Sequence, residues 1–173
     1  MKCFLKIIGL LCAGWLVTSC AISVKLNQSD VDYSKVSSIS IKEFPNLAQL
    51  VYAPLSQQFT EMLKDKYTRQ TKLRVLGSNS GNGDLDLEGE ITGYNFTPLA
   101  VTDGSYASQT RLTITVRVRF TNSSDSGKDF ERTFSAQNEF SNTRTINEVE
   151  ADLSNEIMKE IIDQIFNETV ATW

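Results

Sequence analysis

The chain has no histidine, and its three cysteines, Cys3, Cys12 and Cys20, all fall within the first twenty of its 173 residues. Without an imidazole there is no Ser-His-Asp or Cys-His device and no histidine-held zinc. It lacks a basic excess too: 17 Lys and Arg stand against 21 Asp and Glu, a net charge of -4, which argues against a general nucleic-acid binder. No apolar run reaches the roughly 20 residues that a membrane-spanning helix needs. The longest, Ile7 to Val17, has 11 residues and follows Lys2 and Lys6.

A basic start, a short apolar core and small residues behind it read as a secretory signal over residues 1–19. Val17-Thr18-Ser19-Cys20 then places an aliphatic and two small residues before a cysteine, in the order of a bacterial lipobox. The Cys20 thiol would take a diacylglycerol and the freed amine a further acyl chain. Each buried methylene contributes roughly 0.8 kcal/mol, so two or three chains anchor where one binds marginally. No cysteine would remain for a disulfide, and the fold must rest on its core. No acidic residue follows Cys20 directly, which points to the outer membrane and its periplasmic side. Residues 20–34 are polar and aperiodic and read as a lipidated tether.

One domain is expected over residues 35–173. Ile39 and Ile41 share one face of a first strand within Val36–Phe44, which Pro45-Asn46 stops. Pro54 suits a helix start, and Leu55, Phe59, Met62, Leu63 and Tyr67 follow at helical spacing. The Gly77–Gly83 stretch is a loop by composition and lacks the lysine of a phosphate loop. Three strands come next. The first carries Leu85, Leu87 and Ile91, with a change of parity at Gly93 towards Tyr94 and Phe96 that marks a bulge or bend. The second alternates Leu112 to Phe120 against Arg111 to Arg119; the third returns with Phe130, Phe134 and Ala136. Thr145 and Glu148 form a capping-box pattern ahead of Val149, Leu153, Ile157, Ile161 and Ile165. The expected architecture is α+β: a two-layer sandwich with a four-stranded mixed sheet, two helices on one face, and the order β-α-β-β-β-α.

The chemistry-bearing residues lie on the predicted open face. Asp84, Asp86, Glu88 and Glu90 share one side of a strand, and Arg111, Arg117 and Arg119 share one side of the next. The arginines either neutralise the neighbouring acids or offer planar forks to a lipid phosphate or an acidic partner. Tyr94, Phe96 and Tyr106 form either a contact patch or ordinary packing. No nucleophile, base and oxyanion site assemble, so no enzyme, no metal and no cofactor is expected.

The order of signal, lipobox, strand, helix, three strands and long helix resembles the LptE-type lipopolysaccharide-assembly lipoproteins, in wording close to the branch found in Bacteroides-type bacteria. Phe44-Pro45-Asn46, PLSQQFTEMLKD (54–65), RQTKL (69–73) and NGDLDLEGEITGY (82–94) carry the likeness. So do RLTITVRVRF (111–120), FERTFS (130–135) and the terminal IFNETVATW (165–173). The resemblance implies two helices on a four-stranded sheet and a non-catalytic role. It also implies an outer-membrane protein that plugs the LptD β-barrel and helps deliver lipopolysaccharide to the outer leaflet. The rival reading from residues alone is a periplasmic carrier of a small lipid or peptide, which would need an apolar cavity between sheet and helices.

Overall fold

The computed structural model describes residues 32–50, 52–77, 81–99 and 108–171. The expected signal, Cys20 and most of the tether lie outside them. Strand β1 (Ser38–Ile41) forms at the Ile39/Ile41 alternation, and all four of its residues are buried. Its exit is tied to β3 (Leu85–Pro98), where Ile91 donates to the Pro45 carbonyl at 2.9 Å and accepts from the Leu47 amide at 2.8 Å. Pro54 caps helix α1 (Leu55–Gln70). Leu55, Phe59, Leu63 and Tyr67 stack on its inner face at four-residue spacing, each fully buried.

The sheet has five strands, not the four expected. After α1, Arg74–Leu76 forms β2 and pairs parallel with β1, Ser38 opposite Arg74. Three residues are too few for a period-two pattern to show. What places β2 is the crossover through α1, which brings the chain back beside the strand it left. The element order is therefore β-α-β-β-β-β-α, and the strand order across the sheet is β2-β1-β3-β4-β5. β1 is parallel to β2 and β3, whereas β3, β4 (Gln109–Asn122) and β5 (Phe130–Ser141) form an antiparallel meander.

The parity change in β3 is a bulge. Ile91 faces Val116 and Gly93 faces Thr115, leaving Thr92 as the extra residue. It switches the core side from Leu85, Leu87 and Ile91 to Tyr94, which is buried. Tyr94 stacks on Tyr52 (ring centroids 6.2 Å apart) and its hydroxyl donates to Glu150 at 2.8 Å.

Helix α2 (Ile146–Phe166) starts as its sequence dictates, with the Glu148 carboxylate accepting from the Thr145 amide at 2.8 Å. Val149, Leu153, Ile157, Ile161 and Ile165 are buried against the sheet. β1 and β5 run the same way, so α1 and α2, each following one of them, return side by side in parallel. Lys66 meets Asp163 at 2.8 Å and Tyr67 packs edge-on to Phe166 at 5.2 Å. A π-helical turn, Asn167–Ala171, ends the described chain.

Candidate functional site

The helices cover one face of the sheet, and the other is polar. On it the arginines stand where alternation placed them. Arg119 is opposite Glu88 and Arg117 opposite Glu90 in the β3–β4 register. The pairs close at 3.3 and 3.2 Å. Arg119 reaches across to Glu131 on β5 at 3.3 Å as well, and Lys42, just beyond β1, meets Glu88 at 2.5 Å. Lys42, Glu88, Arg119 and Glu131 thus form a line of alternating charge perpendicular to the strands. Lys42 is held protonated above its ordinary range by its hydrogen bond to Glu88, and Glu88 is held below its own by the same bond.

Arg111 departs from this pattern. Beyond Glu90 the acidic run on β3 stops, and Arg111 faces Thr97 there. Its partner is Glu139 on β5, at 2.7 Å. The sequence reading missed Lys42, Glu131 and Glu139 as members of the face. Lys42 was legible as the next outward position after Ile41, but the β5 partners depend on the register set by the 123–129 turn.

Only two of the four acids expected on this strand meet arginines, and Asp84 lies just before β3. Asp86 accepts from the Gly83 amide at 3.0 Å. Asp84 turns back to β1, where one carboxylate oxygen accepts from the amides of Ser37 (2.8 Å) and Ser38 (3.0 Å) and from both hydroxyls at 2.9 Å. The Ser37 amide first, then the serine hydroxyls, hold this carboxyl below its usual range. A depressed carboxylate stabilises the fold above the unfolded value of about 3.9, and that contribution is lost as pH falls through the lower folded value. Asp84→Asn is therefore expected to melt below wild type at pH 7, with the gap closing at the acid end of a melting series from pH 7 to pH 3. A gap independent of pH would show that the charge is not what clamps β1.

Lys42, Glu43, Glu88, Glu90, Arg117, Arg119 and Glu131 line a shallow depression of about 330 Å³ on this face. Arg117 and Arg119 keep 53% and 59% of their side chains exposed, against 34% for Arg111. Exposed ion pairs of this kind contribute roughly 0.2–1 kcal/mol. Arg117 and Arg119 can therefore turn to an external anion at small cost. The aromatic group splits: Tyr94 is a core residue and Phe96 is half-buried at 5.6 Å from it, while Tyr106 lies outside the described residues. Among the described residues no cluster of three or more metal-ligating side chains forms.

A family model described as lipopolysaccharide-assembly, LptE, matches residues 36–169, well over half the chain. The chain belongs to the LptE family. LptE membership makes it a lipoprotein with a role in lipopolysaccharide assembly, and the family is not catalytic. No curated protein matches the chain in sequence. Among solved structures, protein XCC0632 from Xanthomonas campestris aligns with a TM-score of 0.57 at 14% identity, over 80% of this chain and 86% of its own. Hypothetical protein CT253 from Chlamydia trachomatis aligns at 0.51 with 13% identity, over 79% and 99%. At such identities the likeness is one of fold. A minor lipoprotein from Acinetobacter baumannii aligns at 0.49 with 14% identity, over 79% and 94%.

Proposed function

We propose that this LptE-family chain, of the branch found in Bacteroides-type bacteria, is anchored through Cys20 to the periplasmic side of the outer membrane. There it acts as plug and assembly partner of an LptD-like β-barrel, aiding lipopolysaccharide delivery to the outer leaflet. The observation that carries this is a filled interior beneath a sheet face that is polar across β3, β4 and β5. The space a carrier would keep open is occupied by Ile39, Phe59, Leu63, Ile91, Ile157 and Ile161, all buried. A rigid body with a hydrophilic face suits a water-filled lumen, and lipid chains raise its effective concentration at the barrel. Arg117 and Arg119, with Arg111 as a lesser member, are the groups proposed to meet a partner carboxylate or a lipid phosphate, since their present pairings are weak.

The test is a mild-detergent pull-down of tagged full-length protein from outer membranes. Recovery of one large barrel at about one-to-one supports the plug; recovery of the lipoprotein alone, or with only a small ligand, removes it and promotes the carrier. Arg117→Glu with Arg119→Glu is expected to lower barrel recovery about tenfold or more, as charge reversal at an interface does, with the circular dichroism spectrum unchanged. Undiminished recovery would leave the plug standing and remove the arginines from the contact.

A further inference from the structure

The far edge of β5 carries information that the open face does not. β5 is outermost on the antiparallel side, and nothing among the described residues pairs with its outer edge. In an antiparallel ladder alternate residues direct both N–H and C=O to one neighbour. The Asn142 amide donates to Ser108 at 3.0 Å and continues the register in which Thr110 faces Phe140. Even-numbered residues of β5 therefore bond into β4, and Glu131, Thr133, Ser135, Gln137 and Glu139 direct their backbone groups outward. Glu139 confirms the phase, because its amide takes the neighbouring Asn138 side-chain oxygen at 2.7 Å. That contact closes the ladder at one end and leaves four outward amides.

Natural edges are guarded by shortness, proline, bulges or charged side chains, lysine above all. β2, the opposite edge, has three residues and opens on Arg74. β3 runs past β1 but ends in Pro98. β5 has 12 residues without proline, lysine or a bulge, and the span Thr133-Phe134-Ser135-Ala136-Gln137 is uncharged. Arg132 lies at the end of this span, drawn to the helix side by an ion pair with Glu168, and leaves Thr133 to Gln137 without a charge on either side. On the open face the edge reads acid, three neutral residues, acid. Glu131 and Glu139 stand eight residues apart, about 27 Å at 3.4 Å per residue. Phe134 lies half-buried on the other side, packed against the core, and Phe130 beside it carries the Arg132 guanidinium over its ring at 5.4 Å.

This pattern discriminates among occupants. Glu131 and Glu139 are paired inward with Arg119 and Arg111 but keep 50% and 38% of their side chains exposed. A second copy pairing antiparallel in full overlap would therefore set each copy's Glu131 opposite the other's Glu139, a like-charge conflict that those arginines lessen at both ends. The complement is an extended segment with a basic residue at each end, eight positions apart on one face, and apolar residues on the other. We propose that the β5 edge is a docking site for such a segment of another protein, added as a sixth strand. The backbone ladder would supply affinity, Glu131 and Glu139 would set register, and Phe134 would receive the apolar face. This rests on the edge alone and does not depend on the plug reading.

The probe is a nine-residue peptide of alternating valine and threonine with lysine at both ends, beside the same peptide ended in glutamate. Binding to the full-length lipoprotein in micelles is followed by fluorescence anisotropy and amide hydrogen exchange. The lysine-ended peptide is expected to bind about tenfold more tightly or better, from two cross-strand charge pairs turned from repulsive to attractive. It should slow exchange at Thr133, Ser135 and Gln137 while leaving Arg74–Leu76 of β2 unchanged. Thr133→Pro removes an outward amide that the domain does not use and should abolish binding. Thr133→Lys with Gln137→Lys alters only exposed side chains and should abolish it too, deciding the matter if the proline variant does not fold. Equal affinity of the two peptides, unslowed amides at saturation, or full binding by the lysine variant would each overturn the proposal.

Discussion

Tyr67→Ala is expected to lower stability by about 4 kcal/mol, within the range for removing a fully buried aromatic ring. For a domain of this size that lowers the melting midpoint by roughly 8–16 °C. Tyr67 ends the buried stripe of α1 and lies edge-on to Phe166, so its ring joins the two parallel helices. Its hydroxyl is hydrogen-bonded to Thr169, and burial pushes the phenol's pKa well above its ordinary range. Thr169 Oγ1 lies 2.9 Å from the Ile165 carbonyl, to which it donates, so it accepts from Tyr67. This direction makes the two conservative variants unequal. Thr169→Val leaves a buried phenol proton with no acceptor, a loss of roughly 1–3 kcal/mol. Tyr67→Phe leaves the threonine proton on its carbonyl and should cost less. The double variant should melt close to Tyr67→Phe alone, because the orphaned proton is then gone. Equal losses for the two single variants, adding in the double, would refute this account of the joint. Chemical denaturation of all four proteins decides between them.

That joint was half legible in the sequence. The four-residue spacing of Leu55, Phe59, Leu63 and Tyr67, and of Val149, Leu153, Ile157 and Ile161, identifies both inner faces, since side chains so spaced share one side of a helix. It does not say that the helices run parallel. That follows from β1 and β5 running the same way, which only the strand pairing shows. Nor does the spacing show β2, whose three residues carry no periodic signal and which turns a four-strand expectation into a five-strand sheet. The bulge was legible because Gly93 coincides with the switch of apolar parity, and a displaced face is what an extra residue produces. On the open face, alternation placed Arg111, Arg117 and Arg119 together. The pairing of Arg119 with Glu131 and of Arg111 with Glu139 needed the register of β4 against β5. Asp84 was misplaced among the surface acids for the same reason: its partners, Ser37 and Ser38, are remote in sequence and adjacent only once β1 and β3 pair.

Among the described glycines, Gly89→Ala should add the costliest methyl group, at about 3 kcal/mol and a midpoint drop of roughly 6–12 °C. Gly89 sits on the core side of β3 between Glu88 and Glu90. A Cβ there would come within 2.2 Å of the Arg117 carbonyl oxygen and 2.5 Å of the Phe44 ring. Phe44 is fully buried and held against Phe59, ring centroids 5.2 Å apart, so it cannot swing away freely. The carbonyl belongs to β4 and can move only with the strand. A glycine inside a strand marks such a close approach, and here it draws the two strands together where they carry the paired charges. The same substitution should therefore disturb the Glu90–Arg117 contact on the opposite face as the Arg117 backbone shifts. Gly127→Ala is the control, because its Cβ would meet only the Asp125 side chain, at 3.2 Å. It should stay within about 0.5 kcal/mol of wild type. Adding Phe44→Leu to Gly89→Ala relieves the ring collision but not the carbonyl one, so recovery should be partial. Full recovery would assign the whole cost to the ring and free the strand spacing, and with it the arginine face, from any dependence on Gly89.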